Sequence, residues 1–374
     1  MNDSLFRCGA SPAADRNDSL TAKARRSNGP VIDLHCHVHI HAADKLLESS
    51  VAARAEPMLT FANVATRETN KAQMQTVNAK LTSVPERLAD MDRLGIDVQT
   101  LSPSPFQFCY WAPPEQGMAA ARCVNDGIAS MVASAPERFV GLGTVPMQAP
   151  ELAVTELERV VRELGLRGVE IATNVQGEEL SHQRFRPVFA KAEELGVLVF
   201  LHPNGFSDGR RLADHYFINI IGNPLDATIA VSHLIFDGVL DALPGLKLCV
   251  AHGGGFLPAY AGRMDHAHAA RPDCRRCIQQ NPTSYLRRLF FDTVVFSAVQ
   301  LEYLIREYGA DRIVLGTDYP YDMAEADPLG LMSRVTNLSE SEKSAILGGN
   351  AARLLGLGAD HASAALRFKG GVVP

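Results

Sequence analysis

Residues 31–37 read VIDLHCH: a short apolar run, Val31 to Leu34, leads into two histidines two positions apart. In an extended strand successive side chains alternate, so His35 and His37 share one face and Cys36 takes the other. Two imidazoles on one face at the end of a strand can share a metal ion. The run continues to His39 and His41, which have the same parity, so the choice of pair depends on where the strand stops. His35 and His37 directly follow the apolar segment and are taken as the pair.

Working outward, short apolar runs alternate with longer amphipathic segments, the pattern of βα units and a parallel sheet. Strands are predicted at Val31–His35, Asp97–Leu101, Phe139–Val145, Gly168–Thr173, Val197–His202, Lys247–His252, Leu289–Thr293 and Arg312–Asp318. Helices are predicted at Pro85–Leu94, Glu115–Ala135, Pro150–Leu164, His182–Leu195, Pro224–Leu243, Phe256–His268 and Ala298–Tyr308. Ser83 with Glu86, and Ser339 with Glu342, have capping-box spacing, and Gly165 and Gly196 stand where helices close before the next strand. Eight strands with seven helices between them give an α/β fold, the (β/α)₈ barrel. His39 to Thr82 shows no clean strand and is expected to be an insertion between the first two strands that covers the barrel mouth. Residues 1–29 are expected to be a flexible tail, 30–357 one domain and 358–374 a C-terminal tail.

A length of 374 residues suits one such barrel, and 46% hydrophobic with 21% charged residues supports a sizeable core. The formal net charge of −6 and a pI near 6.1 give no electrostatic ground for a nucleic acid or an anionic membrane as partner. A small molecule is the expected partner. The N-terminus has no apolar stretch of signal-peptide length, and seven irregularly spaced cysteines fit a reducing compartment, so the cytoplasm is expected. Cys274 and Cys277 form a single C-x-x-C without a matching second pair and are read as ordinary thiols.

Three further residues repeat the position of the first pair. His202 ends VLVFL, His252 ends LCVA and Asp318 ends IVLGT, all at strand carboxyl ends, where a barrel builds its active site. Imidazoles and a carboxylate suit a divalent ion of the Zn²⁺ type, with Mn²⁺ also accepted, and an uncoordinated histidine beside it can move protons.

DLHCH, FLHP, AHGGG and LGTDYP, in this order, resemble the amidohydrolase-related decarboxylase family typified by 2-amino-3-carboxymuconate 6-semialdehyde decarboxylase. SPFQFCYWAPPE, ERFVGLGTVPMQAPELAVTELER and AHGGGFLPAYAGRMDHAHAARPD extend the likeness over residues 31–357. The resemblance implies one zinc held by His35, His37, His202 and Asp318, with His252 as the catalytic acid/base close to the metal and Asp318 sharing that role. It also implies a homodimer in which Arg263 reaches the neighbouring active site to bind substrate carboxylate. Arg67, with Lys71 behind it, is the nearest candidate for another carboxylate-binding group. Asn204 stands after His202-Pro203 where the muconate enzyme commonly has an aromatic residue. Strand four reads GVEIATN, without the lysine that bridges two metals in binuclear relatives, so one ion is inferred although Glu170 lies there. The implied activity is non-oxidative decarboxylation of an unsaturated or aromatic carboxylic acid, the alternative being a metal-dependent hydrolase or hydratase.

Overall fold

The structure, a computed structural model, describes residues 29–48 and 55–358. The tails expected at 1–29 and 358–374 fall almost wholly outside those residues. All eight expected strands form: β1 (Ile32–Val38), β2 (Val98–Pro103), β3 (Phe139–Gly141), β4 (Gly168–Ile171), β5 (Leu198–Leu201), β6 (Lys247–Val250), β7 (Phe290–Asp292) and β8 (Ile313–Val314). Neighbours pair in parallel in the order β1-β2-β3 and β4-β5-β6-β7-β8. Two bridges close the barrel. Gly143 pairs with Val169, and Cys36 with Tyr319, where the His37 N–H donates to the Tyr319 carbonyl at 2.7 Å. Most strands end earlier than the apolar runs suggest, because the chain leaves the ladder to carry side chains over the mouth.

The longer helices are α1 (Val64–Thr82), α2 (Val84–Leu94), α3 (Pro114–Ser134), α4 (Pro150–Arg162), α5 (Arg186–Leu195), α6 (Gly222–Phe236), α7 (Leu257–Ala270) and α8 (Ala298–Tyr308). The helix expected over Pro224–Leu243 is two pieces, α6 and a short turn at Val239–Ala242. Gly238 separates them with φ 76°, and a Cβ there would lie 2.7 Å from the Cys277 carbonyl oxygen, so only glycine fits the break. The Ser339–Glu342 capping box is complete, whereas the Ser83 hydroxyl only accepts from the Glu86 N–H, at 3.4 Å. Gly165 and Gly196 both adopt the left-handed conformation after their helices.

The insertion contains α1, nineteen residues long, of which only Thr66, Val77 and Leu81 are buried. Such a helix lacks a core-facing stripe and leaves no periodic signal in the sequence. Its start is fixed by the Asn63 side chain, which accepts from the Thr66 N–H at 2.8 Å.

Alternation accounts for the two sides of the barrel wall. Ile32, Leu34, Val98, Val140, Leu198, Phe200, Cys249, Ala251 and Val314 pack inside, with Leu354 and Leu355 joining them, while Val31, Cys36, Val38, Leu248 and Val250 pack against the helices. Strict alternation cannot place both Leu34 and His35 inside. The β1–β2 register shifts between Asp33 and Cys36, and this irregularity lets the strand present Leu34 to the core and then His35 and His37 to the mouth.

Candidate metal centre

The five strand-end residues converge. His35 Nε2 lies 3.2 Å from His37 Nε2, His37 Nε2 lies 3.1 Å from Asp318 Oδ1, and His252 Nε2 lies 3.6 Å from Asp318 Oδ2. The His202 ring stands 4.8 Å from that of His37, 5.0 Å from that of His35 and 4.9 Å from that of His252, measured between centroids. Ligand atoms of His35, His202, His252 and Asp318 all fall within 4.8 Å of one another. Two quartets are therefore close in space, one containing His37 and one containing His252.

Local backbone explains two of these positions. Continued extension of β6 would send His252 to the helix side with Leu248 and Val250. Instead β6 stops at Val250, and His252 takes φ 56°, turning its ring into the mouth. Asp318 has φ 61°. Left-handed non-glycine residues cost roughly 1–3 kcal/mol each and concentrate at functional sites.

Polar partners fix the rings. The His35 Nδ1–H donates to Asp292 at 2.6 Å, and the His37 Nδ1–H donates to the Pro103 carbonyl at 3.0 Å, which leaves both Nε2 lone pairs pointing to the common centre. Asp292 also accepts the backbone N–H groups of His252 and Gly253, at 3.0 and 2.8 Å, so one buried carboxylate holds two walls of the site. The sequence reading passed over Asp292. Its signal was present, since it ends β7 at the same level as the histidines end theirs.

The electrostatics invite a cation. Burial and then the surrounding histidines push the His202 pKa well below its ordinary value, so it is a neutral imidazole, and neither ring nitrogen has a hydrogen-bond partner among the described residues. Burial acts to raise the Asp318 pKa, but His35, followed by bonds from His252, His35 and His37, holds it well below the usual carboxylate range. Burial acts to lower the His35 pKa, yet Asp318 and Asp292 raise it well above the usual value. Buried neutral imidazole, an ionised carboxylate and orphaned ring nitrogens fit a divalent ion.

Behind the centre, Glu170 is fully buried, with its oxygen 3.8 Å from His37 Nδ1. The Ser102 hydroxyl beside it is given to the Cys36 carbonyl at 2.9 Å, and burial, opposed chiefly by His37, pushes the Glu170 pKa up to about 6.

The centre opens into a cavity of about 350 Å³. Met58, Leu59, Met74, Phe106 and Met323 form apolar walls, and the cavity also reaches His202, Asp318, Asn204, Arg67 and Lys71. The insertion does cover the mouth, and it brings Arg67 and Lys71 with it. Asn204 lies at the wall, its amide donating to the Pro105 carbonyl at 3.2 Å. Arg263 is exposed on α7 and is not among the residues lining its own chain's cavity.

Residues 32–357 match the Amidohydrolase family model. The chain belongs to the amidohydrolase family. This member is 39% identical over 272 residues to the 2-amino-3-carboxymuconate-6-semialdehyde decarboxylase of Dictyostelium discoideum, a match covering 72% of this chain and 76% of that protein. Among solved structures, a 5-carboxyvanillate decarboxylase from Sphingomonas paucimobilis superposes with a TM-score of 0.79 at 28% identity, over 88% of this chain and 99% of that one. A dihydroxybenzoic acid decarboxylase from Polaromonas sp. JS666, with bound manganese and 2-nitroresorcinol as inhibitor, gives a TM-score of 0.75 at 26% identity, covering 89% and 99%. The barrel fold of the amidohydrolase family is thus shared along nearly the whole described chain.

Proposed function

We infer that this amidohydrolase-family protein is a metal-dependent carboxy-lyase that decarboxylates an unsaturated or aromatic carboxylic acid without oxidation. The observation that carries the reading is the neutral, unpartnered His202 facing His35, His37 and an ionised Asp318 at the base of the cavity, in a chain similar to decarboxylases throughout.

His35, His37, His202 and Asp318 would hold one ion, and Zn²⁺ is proposed, with Mn²⁺ suiting the same donors. His37 is preferred over His252 as the fourth ligand because it is fully buried and its Nδ1 is committed to a backbone carbonyl, whereas the His252 side chain is 15% exposed, lines a neighbouring cavity of about 220 Å³ with Asp318, and has no Nδ1 partner among the described residues. When bound, the ion supplies positive charge that polarises substrate oxygens.

The remaining steps belong to side chains. His252 delivers a proton to the carbon that bears the carboxylate, with Asp318 at 3.6 Å orienting its ring and sharing the proton. The bond from that carbon to the carboxylate then breaks, CO₂ leaves, and the electron pair of the broken bond returns to the conjugated system. That requirement selects an unsaturated or aromatic acid. Arg67 and Asn204 contact the substrate from the cover and the wall. The Met and Phe walls keep water from the reacting carbon.

A homodimer is proposed, with Arg263 binding carboxylate in the neighbouring site by charge-assisted hydrogen bonds. Its support is the exposed apolar group Ile220, Phe256 and Phe296, which line one cavity together with His252 and Asp318. A cytoplasmic location is proposed because the six described cysteines are all free. No helix among the described residues is long and apolar enough to cross a membrane.

The test is CO₂ release by metal-loaded protein from a panel of muconate semialdehydes, hydroxybenzoates and hydroxypicolinates. Release from one or more is expected. Water addition or ring opening without CO₂ across the panel would overturn the reading in favour of a hydrolase or hydratase.

A further inference from the structure

A second group of ligating side chains follows β1, with His39 at the cavity wall, and takes no part in the chemistry above. His39 and His41 follow β1, and Asp44 lies in the short helix His41–Leu46. His39 Nε2 is 2.7 Å from Asp44 Oδ2, His41 Nδ1 is 3.5 Å from the same oxygen, and the two rings meet edge to face with centroids 4.9 Å apart. One ligand atom from each falls within 4.8 Å of the others.

Neighbouring residues hold the three in this arrangement. Gln107, 1% exposed, clamps the intervening Ile40 by accepting its N–H and donating to its carbonyl, both at 2.9 Å, and donates to Asp44 Oδ1 at 3.2 Å. On α1, Asn78 Oδ1 accepts from His41 Nε2 at 2.9 Å, which leaves the Nδ1 lone pair facing Asp44. The His39 backbone N–H donates to the Leu81 carbonyl at 3.1 Å, while its ring Nδ1 is buried without a partner among the described residues. Partners that fix a ligating histidine's tautomer and orient a ligating carboxylate are the usual surroundings of a metal ion.

We propose that His39, His41 and Asp44 form a second divalent-cation site, open to solvent and bordering the cavity through His39. Two imidazole nitrogens and one carboxylate oxygen suit Zn²⁺ and its neighbours Co²⁺ and Ni²⁺ over Mg²⁺ or Ca²⁺, with water completing the coordination. All three ligands lie within residues 39–44, and His41 and Asp44 are about half exposed, so the ion binds less tightly here than at the buried centre. The proposal does not depend on the reaction catalysed at the barrel centre.

The test is Zn²⁺ titration of full-length protein already carrying one equivalent, with bound metal counted by elemental analysis at equilibrium. Wild type takes a second equivalent. His41→Ala and Asp44→Asn stop at one, with the first equivalent unaffected. Asn78→Ala keeps all three ligands and lowers affinity for the second ion by about 10- to 100-fold. In the one-equivalent protein, added Co²⁺ gives a visible absorption band that both ligand variants lack. Saturation of wild type at one equivalent, or uptake of a second by the ligand variants as by wild type, overturns the proposal.

Discussion

On the barrel side of the cavity three of the five converging groups have a buried partner, His35 in Asp292, His37 in the Pro103 carbonyl and His252, through its backbone N–H, again in Asp292, while His202 is anchored by its backbone N–H to the Ile171 carbonyl at 3.0 Å. On the opposite side Arg67 and Lys71 stand exposed on α1, a helix that buries three of its nineteen residues. The two sides serve different needs. In the proposed function, proton transfer and metal binding tolerate little displacement, and their side chains sit on β1 or just past the ends of β5, β6 and β8, where the whole barrel fixes the geometry. Substrate selection would be set by a cover whose residues can change without disturbing the ladder.

The comparison breaks first if the barrel side proves tolerant. His202→Ala is expected to lose bound metal and activity together, at least about 4 kcal/mol in the barrier or on the order of 10³-fold in rate, read by elemental analysis and turnover. Retained metal with full activity would contradict the assigned ligand set. His252→Ala is expected to keep its metal and lower kcat by about 10²-fold or more. Loss of metal from that variant would instead place His252 among the ligands.

Asp226 supplies a control away from the metal. Burial pushes its pKa from 3.8 up to about 6, against bonds from Thr173 and Asn174. The folded state holds this proton more tightly than the unfolded chain, so the stability it contributes is full below pH 3.8 and is lost as pH rises through about 6. Asp226→Asn is expected to flatten the stability difference between pH 4 and pH 7 by about 3 kcal/mol, measured by urea unfolding, while metal content stays unchanged.

Asp292→Asn sharpens the contrast by loosening a partner and leaving every ligand in place. Metal affinity is expected to fall by about 10- to 100-fold, as competition with a chelator would show. On the cover, Arg67→Ala is expected to raise KM about tenfold with kcat nearly constant, the loss of one charge-assisted contact. A fall in kcat equal to that of His252→Ala would show that the cover belongs to the chemical machinery.

The same contrast explains what could be read in advance. VIDLHCH, VLVFLH, LCVAH and IVLGTD announce themselves because buried parallel strands are continuous apolar runs and a barrel places its chemistry at their ends. Strand parity put His35 and His37 on one face, and their Nε2 atoms lie 3.2 Å apart. It could not reveal the shift at Asp33–Cys36, nor the left-handed turn that aims His252, because both are set by neighbouring strands. Helix α1 was not legible, since its residues are polar on almost every side and its register depends on caps such as Asn63. Gly238 broke a helix that apolar periodicity carried through, the deciding contact being a carbonyl far along the chain. Arg263 was legible only by likeness, and within one chain it stands apart from the cavity it is proposed to serve in a partner.

The measurement that tests the central claim most directly is CO₂ release by one preparation before metal removal, after chelation and after reloading, with bound ion counted at each stage. The predicted result is one ion at the barrel centre for activity, no CO₂ when it is stripped and full recovery when it returns. CO₂ release that persists in stripped protein would contradict the account.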